Sequence, residues 1–125
     1  MLIGIDIVEN PRFARAMERH PRLVERVFTR DERAYCLSRP NPARHFAARF
    51  AAKEAVGKAL GTGVLCWQDI EISGGGRPTV AVSGSMAPEN SGLGAVGLSL
   101  SISHGEQVSV AVAVAEPAHI PDTRG

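Results

Sequence analysis

Asp6 stands in the middle of an apolar, β-branched run, Leu2-Ile3-Gly4-Ile5-Asp6-Ile7-Val8. A carboxylate there is costly to bury unless a cation or several hydrogen-bond donors meet it. A second carboxylate, Glu54, lies in the stretch Arg49-Phe50-Ala51-Ala52-Lys53-Glu54-Ala55-Val56-Gly57-Lys58. Helical spacing puts Glu54 and Lys58 on one face, and Arg49 and Lys53 repeat the interval. The ordinary reading of Glu54 and Lys58 is a surface ion pair contributing about 0.2–0.5 kcal/mol. An alanine-rich segment with one carboxylate among three cations suggests more. Asp6 and Glu54 together suit magnesium, which prefers oxygen and binds through one or two carboxylates plus substrate phosphates. Manganese fits the same donors. Arg49, Lys53 and Lys58 would neutralise the remaining phosphate charge. The chain carries no Walker glycine loop, no GxGxxG after a strand and no zinc-ligand spacing, so this phosphate site would rest on a metal and cations.

The elements that must position these groups follow from local pattern. Residues 2–8 read as a buried strand. Asn10-Pro11 reads as an N-cap with proline in the first helical position, opening a helix to about Arg19 that Pro21 stops. A short helix follows through Arg26. Thr29 and Glu32 form a capping box, predicting a helix from Arg30 to about Leu37. The strongest helical signal runs from Ala43 to Leu60 and ends at Gly61-Thr62-Gly63. Trp67–Ile72 alternates like a half-buried strand, and residues 74–78, Gly-Gly-Gly-Arg-Pro, turn it into Thr79–Val82. Residues 83–94 read as a loop with a short helix. Two further strands, Ala95–Ser103 and Gln107–Ala115, flank His104-Gly105-Glu106. The expected fold is α+β: one domain over residues 1–115 with an antiparallel sheet against a long helix, then a frayed tail at 116–125.

With 125 residues, 44% of them apolar, the chain has enough material for one modest core. Its net charge of +1 conceals an asymmetry. Residues 1–60 hold twelve Lys and Arg against seven Asp and Glu, whereas residues 61–125 hold two against six. Ten of the twelve are arginine, which makes forked contacts to phosphate and carboxylate. Arg12, Arg15, Arg19, Arg22 and Arg26 recur every three or four residues, as a solvated face would, in a half of the chain whose charge suits an anionic partner. Near-neutral total charge and 5% aromatic content argue against a nucleic-acid binder. A nucleotide pyrophosphohydrolase would need several glutamates on one helix, and they are absent. Cys36 and Cys66 fit no redox or metal motif and read as free thiols. No apolar run reaches a membrane span of about 20 residues, and the start MLIGIDIVEN lacks a positive n-region, so a cytoplasmic protein is expected. Ser101 and Ser103 read equally as the polar side of a strand, and His104 as a turn residue. His20 and His45 read as surface residues, and Trp67 as core.

The segments GIDIVENPR, RFAAKEAVGKALGTG, WQDIEI, GRP and SLSISH occur in the order and rough spacing of the holo-acyl-carrier-protein synthases, the short 4'-phosphopantetheinyl transferases. The chain resembles that family from residue 2 to about residue 115. The resemblance implies transfer of the 4'-phosphopantetheine group from coenzyme A to a serine of an apo-acyl carrier protein, leaving adenosine 3',5'-bisphosphate. It implies Asp6 and Glu54 as metal carboxylates and Lys58 as the lysine on the coenzyme A phosphates. Arg49, Lys53, Ser103 and His104 fall where the family binds coenzyme A. Gly61 and Gly63 would let the backbone approach the nucleotide. Pro78 matches the GKP segment, with Arg77 in place of the usual lysine. Arg12, Arg15, Arg19, Arg22 and Arg26 match the surface that receives the carrier's acidic helix. The family assembles as trimers with active sites between subunits. The carrier served, and the route of the serine proton through Glu54 or Asp6, stay open at this stage.

Overall fold

In the computed structural model, residues 1–117 are described. Strand β1 (Leu2–Glu9) leads into helices α1 (Asn10–Arg19), α2 (Leu23–Val27), α3 (Arg30–Leu37) and α4 (Pro42–Leu60). Strands β2 (Ile70–Ser73) and β3 (Thr79–Val82) form a hairpin, and β4 (Val96–His104) and β5 (Val108–Pro117) complete a separate antiparallel sheet of order β1-β5-β4. The expected α+β arrangement of an antiparallel sheet against a long helix is present.

Helix α4 begins with a proline in its first turn and ends on Gly61, whose φ of 81° supplies the left-handed cap. It lies across one face of the three-stranded sheet. Ala51, Ala52, Ala55, Val56 and Ala59 meet Ala111, Ala113 and Ala115 of β5 in the main core. These small side chains bring helix and sheet close, and Gly4 brings β1 closer still. A Cβ on Gly4 would collide with the Ala55 carbonyl oxygen and lie 2.6 Å from the Ala59 amide. A second cluster, with Phe13, Val27, Phe28, Cys36 and Phe46, packs α1, α2 and α3 against the first half of α4.

The Thr29–Glu32 capping box forms as expected, and four other expectations need correction. First, β1 is not buried on both faces. Gly4 and Asp6 turn toward α4, while Ile3, Ile5 and Ile7 are 58%, 52% and 62% exposed. Second, Asn10 does not cap α1. It is the first helical residue, and its side chain instead donates to the Gly105 carbonyl at 2.7 Å and accepts from the Ser109 hydroxyl at 2.7 Å. Third, Trp67–Asp69 is a single 3-10 turn before β2, with the Trp67 carbonyl accepting a hydrogen bond from Lys53 at 2.9 Å. Fourth, Glu116 and Pro117, assigned to the tail, extend β5 opposite Gly97 and Val96; the remainder of that tail lies outside the described residues.

Candidate functional site

Asp6 and Glu54 both line a cleft of about 500 Å³. The inward register of β1 and its close seat on α4 bring them together. Lys58, Arg12, Phe13 and Phe50 complete much of the lining. The Lys58 ammonium donates to the Ile5 carbonyl at 2.9 Å and pairs with Asp6 Oδ1 at 3.2 Å. It therefore bridges to Asp6 rather than forming the helical surface pair with Glu54. Glu54 is half-buried, and its carboxyl is held above the usual range by burial first and by the Asp6 charge second, against a lowering by Lys58. Two carboxylates that repel one another across a cleft, incompletely offset by one half-exposed lysine, are a site that a further cation stabilises. Among the described residues no group of three or more His, Cys, Asp and Glu could hold a metal. Two protein carboxylates with solvent or substrate oxygens completing the shell is the way magnesium is held, so Asp6 and Glu54 fit it.

Arg49 and Lys53 do not share this cleft. Arg49 and Lys58 are about two and a half helical turns apart, which places them on opposite sides of α4. Lys53 is wholly buried, pairs with Glu32 Oε1 at 2.7 Å and donates to the Val27 and Trp67 carbonyls. Glu32 Oε2 in turn accepts the Ile72 amide at 2.7 Å. Every donor of that ammonium is engaged inside the protein, so Lys53 has no surface left for coenzyme A; it ties α4 to α3 and to the segments leading into α3 and β2. Arg49 is also buried, but it borders a second, smaller pocket with Tyr35, His45, Gly75, Pro78 and His104. Its guanidinium lies 4.1 Å from the centre of the Tyr35 ring and donates to the Gly74 carbonyl. Arg49, Pro78 and His104 thus come together as the sequence suggested. Ser103 is on the opposite, exposed face of the sheet, beside Val110. Gly61 and Gly63 hold left-handed φ values of 81° and 67° in the turn beyond α4 and line neither pocket.

Arg12, Arg15, Arg19, Arg22 and Arg26 are all exposed, and none enters an ion pair among the described residues. Arg12 stands on the rim of the Asp6 cleft, and Arg19, Arg22 and Arg26 surround a groove of about 590 Å³ floored by Leu23, Val27 and Trp67. Trp67 is half-buried and stacks on Phe50 at 5.1 Å, so one aromatic pair joins this groove to the carboxylate cleft.

The sequence matches the 4'-phosphopantetheinyl transferase superfamily over residues 2–113. The chain belongs to that superfamily. It is 50% identical to the holo-[acyl-carrier-protein] synthase of Moorella thermoacetica, over 90% of this chain and 91% of that one. It is 44% identical to the synthase of Chloroherpeton thalassium, over 94% and 98%. Among solved structures, the Chronobacterium ammoniagenes ACPS–CoA complex superposes with a TM-score of 0.84 at 29% identity, covering 94% of this chain and 98% of that one. The Helicobacter pylori synthase in complex with coenzyme A gives 0.79 at 31% identity, covering 92% and 100%.

Sequence reasoning missed Tyr35 and Glu32 as the partners of Arg49 and Lys53. Each comes from the neighbouring helix, and helical spacing on α4 cannot show it. It also passed over His45, whose signal was its place one turn before Arg49. Gly4→Ala should cost about 1–3 kcal/mol through overpacking against backbone and lower transfer activity by separating Asp6 from Glu54. Urea unfolding and a transfer assay check this, and a variant with parental stability would show that β1 is not pressed onto α4.

Proposed function

We propose that this transferase moves the 4'-phosphopantetheine arm of coenzyme A onto a serine of an acyl carrier protein at the Asp6–Glu54 cleft. The observation that carries the reading is the pair of mutually repelling carboxylates facing one cleft with Lys58 beside them. The serine hydroxyl passes its proton toward the Asp6–Glu54 carboxylates as its oxygen attacks the phosphorus attached to pantetheine. The bond to the departing adenosine 3',5'-bisphosphate breaks, and the electron pair leaves with its oxygen. A divalent cation held by Asp6 and Glu54, magnesium by its fit, would supply charge neutralisation and alignment of the pyrophosphate. Lys58 is half-exposed, so its ammonium is free to swing from Asp6 toward charge gathering on the bisphosphate. Arg49, Pro78 and His104 of a neighbouring copy hold a phosphate at the nucleotide end of the donor, since the second pocket of the same chain opens on the other side of α4. Phe13 and Phe50 give the cleft an apolar wall that limits water at the phosphorus.

The arginine series is the carrier's landing surface. An acidic helix laid over Arg15, Arg19, Arg22 and Arg26 places the partner beside the Asp6 cleft, and unpaired exposed arginines favour steering that salt weakens. The three exposed isoleucines of β1 pair in register with Val114, Val112 and Val110 to form an apolar stripe on the outer sheet face. A stripe of that kind on a soluble chain marks an interaction surface, and we assign it to contacts between copies in a trimer. No helix among the described residues is long and apolar enough to cross a membrane. Two free cysteines suit a reducing compartment, and the cytoplasm is the proposed setting.

Glu54→Gln keeps the side-chain shape and removes one of the two charges. Turnover should fall by at least about 100-fold with the unfolding midpoint unchanged or raised, because the Asp6–Glu54 repulsion is relieved. Near-normal turnover would remove the cation assignment. Charge reversal at Arg15 or Arg22 should raise KM for the carrier several-fold and leave KM for coenzyme A unchanged; equal effects on both would count against the docking surface.

A further inference from the structure

The small pocket on the far side of α4 has a composition that its neighbours do not explain. It is lined by Tyr35, His45, Arg49, Gly75, Pro78 and His104, and no carboxylate lines it. Arg39 stacks on one side of this cluster, 4.9 Å from the centre of the Tyr35 ring that Arg49 also covers. Arg44 closes another side by donating from Nε to His104 Nδ1 at 2.9 Å. Arg49 is 4% exposed and its Nε, buried, has no hydrogen-bond partner. A buried guanidinium that no carboxylate pairs among the described residues, bordering a pocket without an acid, calls for an anion. The volume, about 70 Å³ against about 500 Å³ for the carboxylate cleft, suits a single tetrahedral oxyanion rather than a whole nucleotide.

The two histidines in the pocket differ in what they are able to do. Their ring centroids are 5.3 Å apart in an edge-to-face arrangement. His104 Nδ1 is committed as an acceptor to Arg44, so the neutral ring carries its proton on Nε2, and a second proton at Nδ1 would break that bond. His45 has no such commitment; it meets the Tyr35 ring edge-on. The groups facing His45 are Tyr35 and Arg39 from α3 and the turn after it, Arg44 and Arg49 from its own helix, and His104 from β4. The glycine turn contributes backbone only. His45 is held below its ordinary value by burial, then by His104 and the three arginines, and His104 is lowered likewise by burial and Arg44. Both rings are therefore neutral near neutral pH, and a dianion in their midst reverses the penalty at His45.

We propose that His45 is a further donor-binding residue, which takes up a proton from solvent when a phosphate monoester of the nucleotide enters beside Arg49 and His104. The proposal rests on the coenzyme A reading. The phosphate meets the Arg49 guanidinium, the His104 Nε2–H and the imidazolium of His45, so the pocket gains one positive charge only when the anion is present. The sign follows from linkage. Affinity is highest below the empty-pocket value of His45 and falls as pH rises through the window up to its raised, anion-bound value.

The test is calorimetric titration of the full chain with adenosine 3',5'-bisphosphate in two buffers of different ionisation enthalpy, between about pH 7 and 8, for the parent and for His45→Gln. The parent should take up protons on binding and lose affinity with rising pH, by up to about tenfold per unit. His45→Gln should bind more weakly at the lower pH and lose most of the uptake. The ligand's own phosphate ionisation is common to both proteins and cancels in the comparison. Equal uptake in the parent and His45→Gln overturns the proposal and leaves the donor assignment standing. Loss of uptake in His104→Gln but not in His45→Gln overturns it too. Failure of the parent to bind the bisphosphate at all overturns both this proposal and the coenzyme A reading.

Discussion

The close contact of β1 with the backbone of α4 at Gly4 is the constraint from which the rest follows. The space there admits a hydrogen and no more, since a Cβ would strike the Ala55 carbonyl. With β1 held at that distance, its alternation turns Asp6 inward against Glu54 and Lys58 and turns Ile3, Ile5 and Ile7 outward. One strand thus serves two purposes. Its inner edge builds the carboxylate cleft, and its outer edge presents the apolar stripe that we assign to assembly.

Helix α4 is the other half of the arrangement, and it is not simply amphipathic. Alanines on the sheet side permit the close approach. Glu54 and Lys58 project to one flank of that contact, and Arg49 projects to the other, toward Tyr35 and the glycine turn. Between them Lys53 is withdrawn into the interior on Glu32. A buried pair of this kind adds little net stability compared with an apolar replacement, yet loss of either partner strands a charge. Its effect here is to fix the rotation of α4 about its own axis. That rotation decides which residues reach the carboxylate cleft and which reach the pocket at Arg49.

Much of this was legible in the sequence because it is local. The capping box of α3, the glycine end of α4 and the β4–β5 hairpin depend on residues a few positions apart. The oddity of Asp6 in an apolar strand was legible for the same reason, and so was the shared face of Glu54 and Lys58, though Lys58 pairs with Asp6 rather than with Glu54. What was not legible depends on partners distant in the chain. Lys53 reads as a phosphate ligand until Glu32 is seen against it, and Trp67 reads as the start of a strand until its carbonyl is claimed by Lys53. The cations at Arg49, Lys53 and Lys58 read as one cluster, and the helix divides them among two pockets and the core. An apolar run such as Leu2–Val8 also cannot show whether its second face is covered by the same chain or by another copy.

The central claim is that the Asp6–Glu54 pair works as a cation site that moves a phosphopantetheine arm. The most direct measurement mixes the purified chain with coenzyme A, magnesium and an apo-acyl carrier protein, and follows the intact mass of the carrier. The account predicts a gain of one phosphopantetheine group on the carrier, lost when a chelator removes divalent metal and restored when magnesium is returned. No gain in mass, or a gain that the chelator leaves unchanged, would contradict it.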